Sequence, residues 1–242
     1  MPLSPSLTWR LRGLQLRHPA RPYSAHVVRL APMVFTPSRE AGNSDAFRSL
    51  LETSYHKPGL IHLAAGSQVP MLRHSVWLVV RGMVKLGAIS IHGDEMLLGL
   101  AGPNEPFGDL LTGVEASEAR TLAPTDLLCL SLQEIQADPA LSGGMIHALA
   151  QRYRQSQALL ALMGLRRVEE RVRGFLELVA SEYGQPCEQG LRLNLRLTHQ
   201  EMASALATTR VTVTRVIGAL RQEGWLGCDP QRHLVISHLP RR

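Results

Sequence analysis

The run LTHQEMASALATTRVTVTRVIGALRQEGWL at residues 197–226 leaves little choice of local structure, because it reads as two short helices joined by a tight turn. Thr198 followed by Glu201 has the spacing of a capping box, in which each side chain satisfies a backbone N–H at a helix start. Met202, Ala203 and Leu206 give the first helix an apolar stripe. Thr208 and Thr209 are placed to cap the second helix, where Val213, Val216, Ile217 and Leu220 recur at helical spacing. Arg210, Thr212, Thr214 and Arg215 fall largely on the opposite side.

A helix presented this way can put its N-terminal residues against base edges in a DNA major groove. The Arg210 fork matches the two acceptors of guanine, Arg215 can reach a further base or a phosphate, and Val211 can pack on a thymine methyl but cannot accept a hydrogen bond. Thr198, His199 and Thr209, with Thr212 and Thr214, complete the expected contact set. On periodicity alone, an ordinary amphipathic helix pair with solvated arginines would explain the same stretch. The caps, the shortness of both helices, the hydroxyl-rich second start and a hairpin signal at residues 229–233 favour the DNA reading. That hairpin reads as a wing, with Arg232 and His233 at its tip within reach of phosphate.

Upstream, glycines arrive at short intervals between Tyr55 and Leu132 and separate short apolar segments, the pattern of a small antiparallel barrel or jelly roll. Strands are expected at residues 76–80 and 83–86, and at 88–91 and 95–100 around a Gly93-Asp94 turn. Asp138-Pro139 then opens a long helix. Along it Ile146, Leu149, Tyr153, Ser156, Leu160 and Met163 alternate in steps of three and four, a seam suited to a partner helix and hence to a homodimer. Packing of that stripe on the chain's own β-region is the alternative. Gly164 is placed to act as a hinge, and Val168, Val172, Phe175, Leu176 and Val179 mark the buried face of a further helix over residues 168–180.

The formal charge of +6 fits a polyanionic partner, but its location weakens the point. Arg10, Arg12, Arg17, Arg21 and Arg29 precede the first acidic residue, Glu40, so most of the excess sits in a leading segment and not in the reading head. That segment, within residues 1–45, reads as a disordered extension, and Met33 is an alternative start. No apolar run is long enough for a bilayer span. Cys129, Cys187 and Cys228 form no cluster, which argues against a metal or iron-sulfur centre and for a reducing cytoplasm. His56, His62, His74 and His92 lack the spacing of a cupin metal site, and Asp109 with Glu115 has no nucleophile or oxyanion site beside it, so an enzyme is not expected.

The helix-turn-helix residues resemble those of the CRP/FNR family of bacterial transcription regulators. The run Thr209-Arg210-Val211-Thr212-Val213-Thr214-Arg215 looks most like that family's cyanobacterial nitrogen-regulating branch, and residues 76–86 and 175–195, with a Gly-x-Pro-Cys turn at 184–187, match its pattern too. The resemblance implies an α+β protein with a cyclic-nucleotide-binding-like β-roll at residues 46–136, a dimerisation helix at 137–164 and a winged helix-turn-helix at 165–242. It also implies a palindromic DNA target with half-sites like GTA and TAC, RNA polymerase as a partner, and an activator's role in a nitrogen or phosphate response. An effector site would draw on Phe107, Gly108, Asp109, Leu110, Arg120, Arg152 and Gln157. Glu115-Ala116 falls where relatives that bind cyclic AMP carry an anion-holding pair, which counts against that ligand and leaves 2-oxoglutarate open. Two further readings stay open: an effector-independent paralogue acting through its abundance, and a nucleotide-binding signalling module without DNA function.

Overall fold

The computed structural model describes residues 60–237, so the leading extension, His56 and the last five residues lie outside the described part. The N-terminal half is a roll of two four-stranded sheets. One has the order β1-β8-β3-β6, built from Leu60–Leu63, Thr125–Ser131, Ser75–Arg81 and Pro106–Phe107; the other has the order β2-β7-β4-β5, built from Gln68–Val69, Ser117–Thr121, Val84–Ile89 and Glu95–Ala101. The continuous apolar run of β3 has a physical reason. Trp77 and Val79 face the interior with Val69, Val84, Ala101, Phe107, Ala119 and Leu127, while Val76 and Leu78 face outward into a second core. Strand β7, covered on one side, alternates instead: Ala119 and Thr121 are buried and Arg120 is exposed.

That second core is closed by two helices. The short α1, Leu132–Ala137, starts with a Ser131/Glu134 capping box that the sequence carries in plain form but that sequence reading passed over. The long α2, Pro139–Met163, follows with Pro139 at its first position, and the Asp138 carboxylate accepts from the Ala140 and Leu141 amides at 2.9 and 3.1 Å. Leu141 and Met145 pack on Val76, Leu78, Leu128 and Leu130 of the roll, with Leu149 at the edge. Burial of each such side chain contributes about 1.5 to 3 kcal/mol. The other stripe of α2 is bare: Ile146, Tyr153 and Leu160 are 67, 65 and 74 % exposed, with Ser156 and Met163 beside them.

Gly164 caps the C-terminus of α2, and α3 spans Val168–Tyr183, longer than the sequence suggested. The segment 184–187, read as a turn, is instead strand β9. Cys187 pairs with Gly190 and Gly184 with Leu193 of β10, Gly190–Leu193, so the reversal falls on the two residues between them. Pro186 is tolerated because β9 is an edge strand, paired only with β10. Helices α4, His199–Ala205, and α5, Arg210–Gln222, precede the hairpin of β11, Leu226–Cys228, and β12, Leu234–Ile236. Their core, with Phe175, Leu176, Met202, Leu206, Ile217 and Leu220 fully buried, runs without a break onto Met83 and Leu100 of the roll. No helix among the described residues is long and apolar enough to cross a membrane.

Candidate nucleic-acid interface

Local chemistry sets both helix starts. Thr198 Oγ1 accepts from the Glu201 amide at 3.1 Å, and the Glu201 carboxylate accepts from the Thr198 amide at 2.7 Å, closing the expected box. Thr209 caps α5 by accepting from the Thr212 amide at 3.2 Å. Between them Ala207 takes a φ of +47°, a left-handed conformation that a residue with a Cβ adopts at a cost. The turn survives because the Thr208 amide donates to the Ala203 carbonyl at 3.0 Å and Arg171 Nη1 donates to the Leu206 carbonyl at 2.9 Å. The far end of α5 is held to α3, where Arg173 lies over the Trp225 ring at 4.7 Å and pairs with Glu223 at 2.5 Å.

This anchoring leaves one face of α5 free. Val213, Val216, Ile217 and Leu220 are buried, whereas Arg210, Val211, Thr214 and Arg215 are exposed, Val211 by 78 %. The four exposed positions share one helical face at the N-terminal end. His199 of α4 joins them: its Nδ1 is 2.8 Å from Thr214 Oγ1. Thr214 also donates to the Arg210 carbonyl at 2.8 Å, so its single proton is taken and the imidazole Nδ1 acts as donor. Nε2 is left for an outside partner. Partial burial, then the charges of Arg221 and Arg210, hold the His199 imidazole below the usual histidine range.

The wing is equally defined. Asp229 accepts from the His233 amide at 2.7 Å and sits 3.1 Å from His233 Nδ1, which closes the loop and turns exposed Arg232 outward at φ +65°. Thus the amide and Nδ1 of His233 close the hairpin, and Arg232 is the exposed residue at its tip.

The expected effector residues are not brought together. Phe107 is buried in the packed roll interior against Trp77, and Gly108 fits there because a Cβ would come within 2.8 Å of the Ser75 carbonyl. Asp109 and Leu110 are exposed in a short 3-10 turn, and Glu115 and Ala116 are exposed in the separate turn before β7. Arg120 lies on the outer face of β7 and donates to the Gly66 carbonyl at 3.3 Å. Gln157 is exposed on α2. Arg152 does turn toward the roll, yet its Nη1 is engaged by the Leu100 carbonyl and by Gln155 Oε1.

Sequence reading missed the group that Arg152 joins. Gln155, 2 % exposed, accepts from the Leu100 amide at 2.9 Å and donates to Glu182 at 2.6 Å and Tyr183 Oη at 2.7 Å, so all four of its hydrogen-bonding sites are in use. Tyr183 in turn donates to Glu105, 3 % exposed, at 2.8 Å. Arg152 and Gln155 lie one helical turn apart and Glu182 and Tyr183 are adjacent, but only the fold brings the two pairs together with Glu105.

Comparisons with known proteins agree with this geometry. A family model described as a Crp-like helix-turn-helix domain matches residues 170–241. The chain is 32 % identical over 174 residues to the global nitrogen regulator of Nostoc sp., covering 68 % of this chain and 77 % of that one. It is 33 % identical to the regulatory protein CysR of Synechococcus elongatus, covering 69 and 79 %. Among solved structures, a CRP/FNR-family transcriptional regulator from Thermus thermophilus superposes with a TM-score of 0.59 at 25 % identity, covering 73 % of this chain and 93 % of the other. A cyclic nucleotide-binding domain containing protein from Listeria monocytogenes shares the fold with a TM-score of 0.67 at 15 % identity, covering 81 and 98 %.

Proposed function

The chain belongs to the CRP/FNR family of DNA-binding transcription regulators, and from that premise we propose that it reads a two-fold-symmetric DNA site as a cytoplasmic homodimer controlling a nutrient response, nitrogen or phosphate, in a cyanobacterium. The observation that carries this reading is the exposed face of α5, with Arg210, Val211, Thr214 and Arg215 aligned over a helix whose opposite face is fully buried. Arg210 takes a guanine by its fork and Val211 packs on the adjoining thymine methyl, which favours half-sites like GTA and TAC. Thr198, His199, Thr209 and Thr212 line the same side and hold the flanking phosphates. Two recognition helices meet successive major grooves about one turn apart when the bare stripe of α2 pairs with its copy. RNA polymerase is the partner through which such a regulator acts.

The effector residues support a regulator whose β-roll does not respond strongly to an anion. With Arg120 on the outer face and Arg152 engaged, 2-oxoglutarate and cyclic AMP each change operator affinity by less than about tenfold. Selection of bound sequences from a random duplex library tests the main reading. The wild type should return a palindrome, and Arg210→Ala should lose preference at one symmetric guanine position, a cost of about 1 to 3 kcal/mol. Sites without two-fold symmetry, or an unchanged half-site in the variant, would overturn it.

A further inference from the structure

Arg152, Gln155, Glu105, Glu182 and Tyr183 come from three parts of the fold and meet at one strand. Glu105 belongs to the turn between β5 and β6 of the roll, Arg152 and Gln155 to α2, and Glu182 and Tyr183 to the last turn of α3, the first helix of the DNA-reading unit. Strand β5 and the turn that follows it admit them through two glycines, Gly99 and Gly102. A Cβ on Gly99 would lie 2.9 Å from both Arg152 Nη2 and Gln155 Oε1, and one on Gly102 would lie 2.6 Å from the Tyr183 ring. Across the junction the Leu100 amide donates to Gln155 and Tyr183 Oη is 3.1 Å from the Leu100 carbonyl, while within the roll's turn the Gly102 amide donates to Glu105 at 2.8 Å and so positions it. The junction therefore ties the reading unit to the roll by side chains of both, over an apolar contact of Leu100 and Met83 with the unit's own core.

The charge count at this junction is unbalanced. Two carboxylates, Glu105 and Glu182, share one guanidinium, Arg152, and the other members, Gln155 and Tyr183, are neutral. The arginine is already engaged by a carbonyl and an amide oxygen, and forms a direct ion pair with neither carboxylate. With both carboxylates ionised the buried cluster carries a net negative charge; with one proton held between them it carries none.

The geometry points to a proton as the input to this β-roll: a proton held on the Glu105/Glu182 pair keeps the DNA-reading unit docked on β5, and its loss loosens that unit from the roll. The titration of the group agrees. Burial, and after it the charge of Glu105, raises the Glu182 carboxyl to about 7 against the bonds from Gln155 and Tyr183 and the charge of Arg152; burial raises Glu105 as well, and Tyr183 keeps its proton throughout. In the undocked unit Glu182 returns toward its ordinary 4.5. Between those two values the docked form binds more protons than the undocked one, so docking weakens as pH rises from about 4.5 to about 7 and levels off above. One proton sets the steepest slope, roughly tenfold in the opening equilibrium per pH unit. The consequence for operators rests on the proposed DNA reading, since a loosened unit no longer holds two recognition helices one groove turn apart.

Hydrogen exchange of the free protein tests the junction without DNA, so failure of the DNA reading and failure of the junction are separate results. The Leu100 and Gly102 amides report directly, because each donates to a junction side chain. Their protection factors, corrected for intrinsic exchange, should fall at least tenfold from pH 5 to pH 7 in the wild type and then hold steady. Glu182→Gln, which mimics the protonated carboxyl, should keep high and pH-independent protection. Glu105→Gln, an independent variant that removes the neighbouring charge, should move the levelling-off to lower pH. Protection that does not change with pH in the wild type, or that falls equally in Glu182→Gln, would overturn the inference; should Glu182→Gln fail to fold by circular dichroism, an unmoved profile in Glu105→Gln would overturn it alone.

Discussion

The imidazole Nδ1 of His199 and the hydroxyl of Thr214 lie 2.8 Å apart and couple the first helix of the reading unit to the recognition helix. Because the neighbouring Arg221 and Arg210 add to burial in holding the free imidazole below its ordinary range, it is neutral at pH 7. A DNA phosphate beside Nε2 reverses that field and favours the charged form. The bound state then has the higher pKa, so binding takes up a proton and operator affinity rises as pH falls from neutrality through the ordinary histidine value of 6.5. Fluorescence titrations of a labelled operator should show this rise in the wild type. His199→Gln, which keeps a donor to Thr214, should flatten that part of the profile; an identical pH dependence in both would remove His199 from the interface.

Ala207 makes the turn between α4 and α5 at φ +47°, a position that glycine occupies without strain. The left-handed conformation costs an L-residue roughly 1 to 2 kcal/mol, while glycine loses roughly 0.5 to 1 kcal/mol more backbone entropy on folding. Ala207→Gly should therefore raise stability by about 0.5 to 1 kcal/mol, read as a higher urea midpoint at unchanged slope. Ala207→Val, branched at Cβ, should lower it.

Where the determinants are local, the chain could be read directly. The Thr198/Glu201 box, the Thr209 cap and the buried stripe of α5 each depend on residues within two turns of one another. The same holds for the Asp138-Pro139 start of α2. What escaped reading depends on which way a side chain turns once elements have packed. Gln157 and Gln155 are two positions apart on α2, which is more than half a helical turn, and only the second faces the roll. Arg120 is excluded from the interior by the alternation of β7, whose register follows from pairing with β2 and β4. The Gly184-to-Cys187 strand looked like a turn because glycine and proline dominate it, and its pairing with β10 becomes visible only once the edge position is known.

Arg232, turned out at the wing tip by the Asp229 to His233 closure, is exposed there and is proposed as a phosphate contact. Arg232→Ala should weaken all duplexes by a similar factor. The slope of log affinity against log salt should become shallower by about 0.9 if one phosphate contact is lost. A change in selected sequence with no change in slope would instead assign Arg232 to base readout.

The bare stripe of α2 supplies the last prediction. Leu149 belongs partly to the chain's own roll, packed beside Met145 and Leu130, so a charge there would disturb the fold and confuse the outcome. Ile146 and Leu160, 67 and 74 % exposed, are the seam positions that face away from the roll. In a symmetric pair each residue lies near the partner's seam, so Ile146→Glu with Leu160→Glu would bring like charges together across the two-fold axis in a desolvated contact. The double variant should be monomeric by light scattering, keep the wild-type circular dichroism, and lose high-affinity binding to a two-half-site operator while retaining weak binding to a single half-site. Loss of avidity alone can account for a hundredfold or greater effect, on the order of 10² to 10⁴, because the second recognition helix is no longer delivered at high effective concentration. An unchanged mass would show that α2 is not the dimer contact, and the spacing of the two recognition helices would then need a different axis.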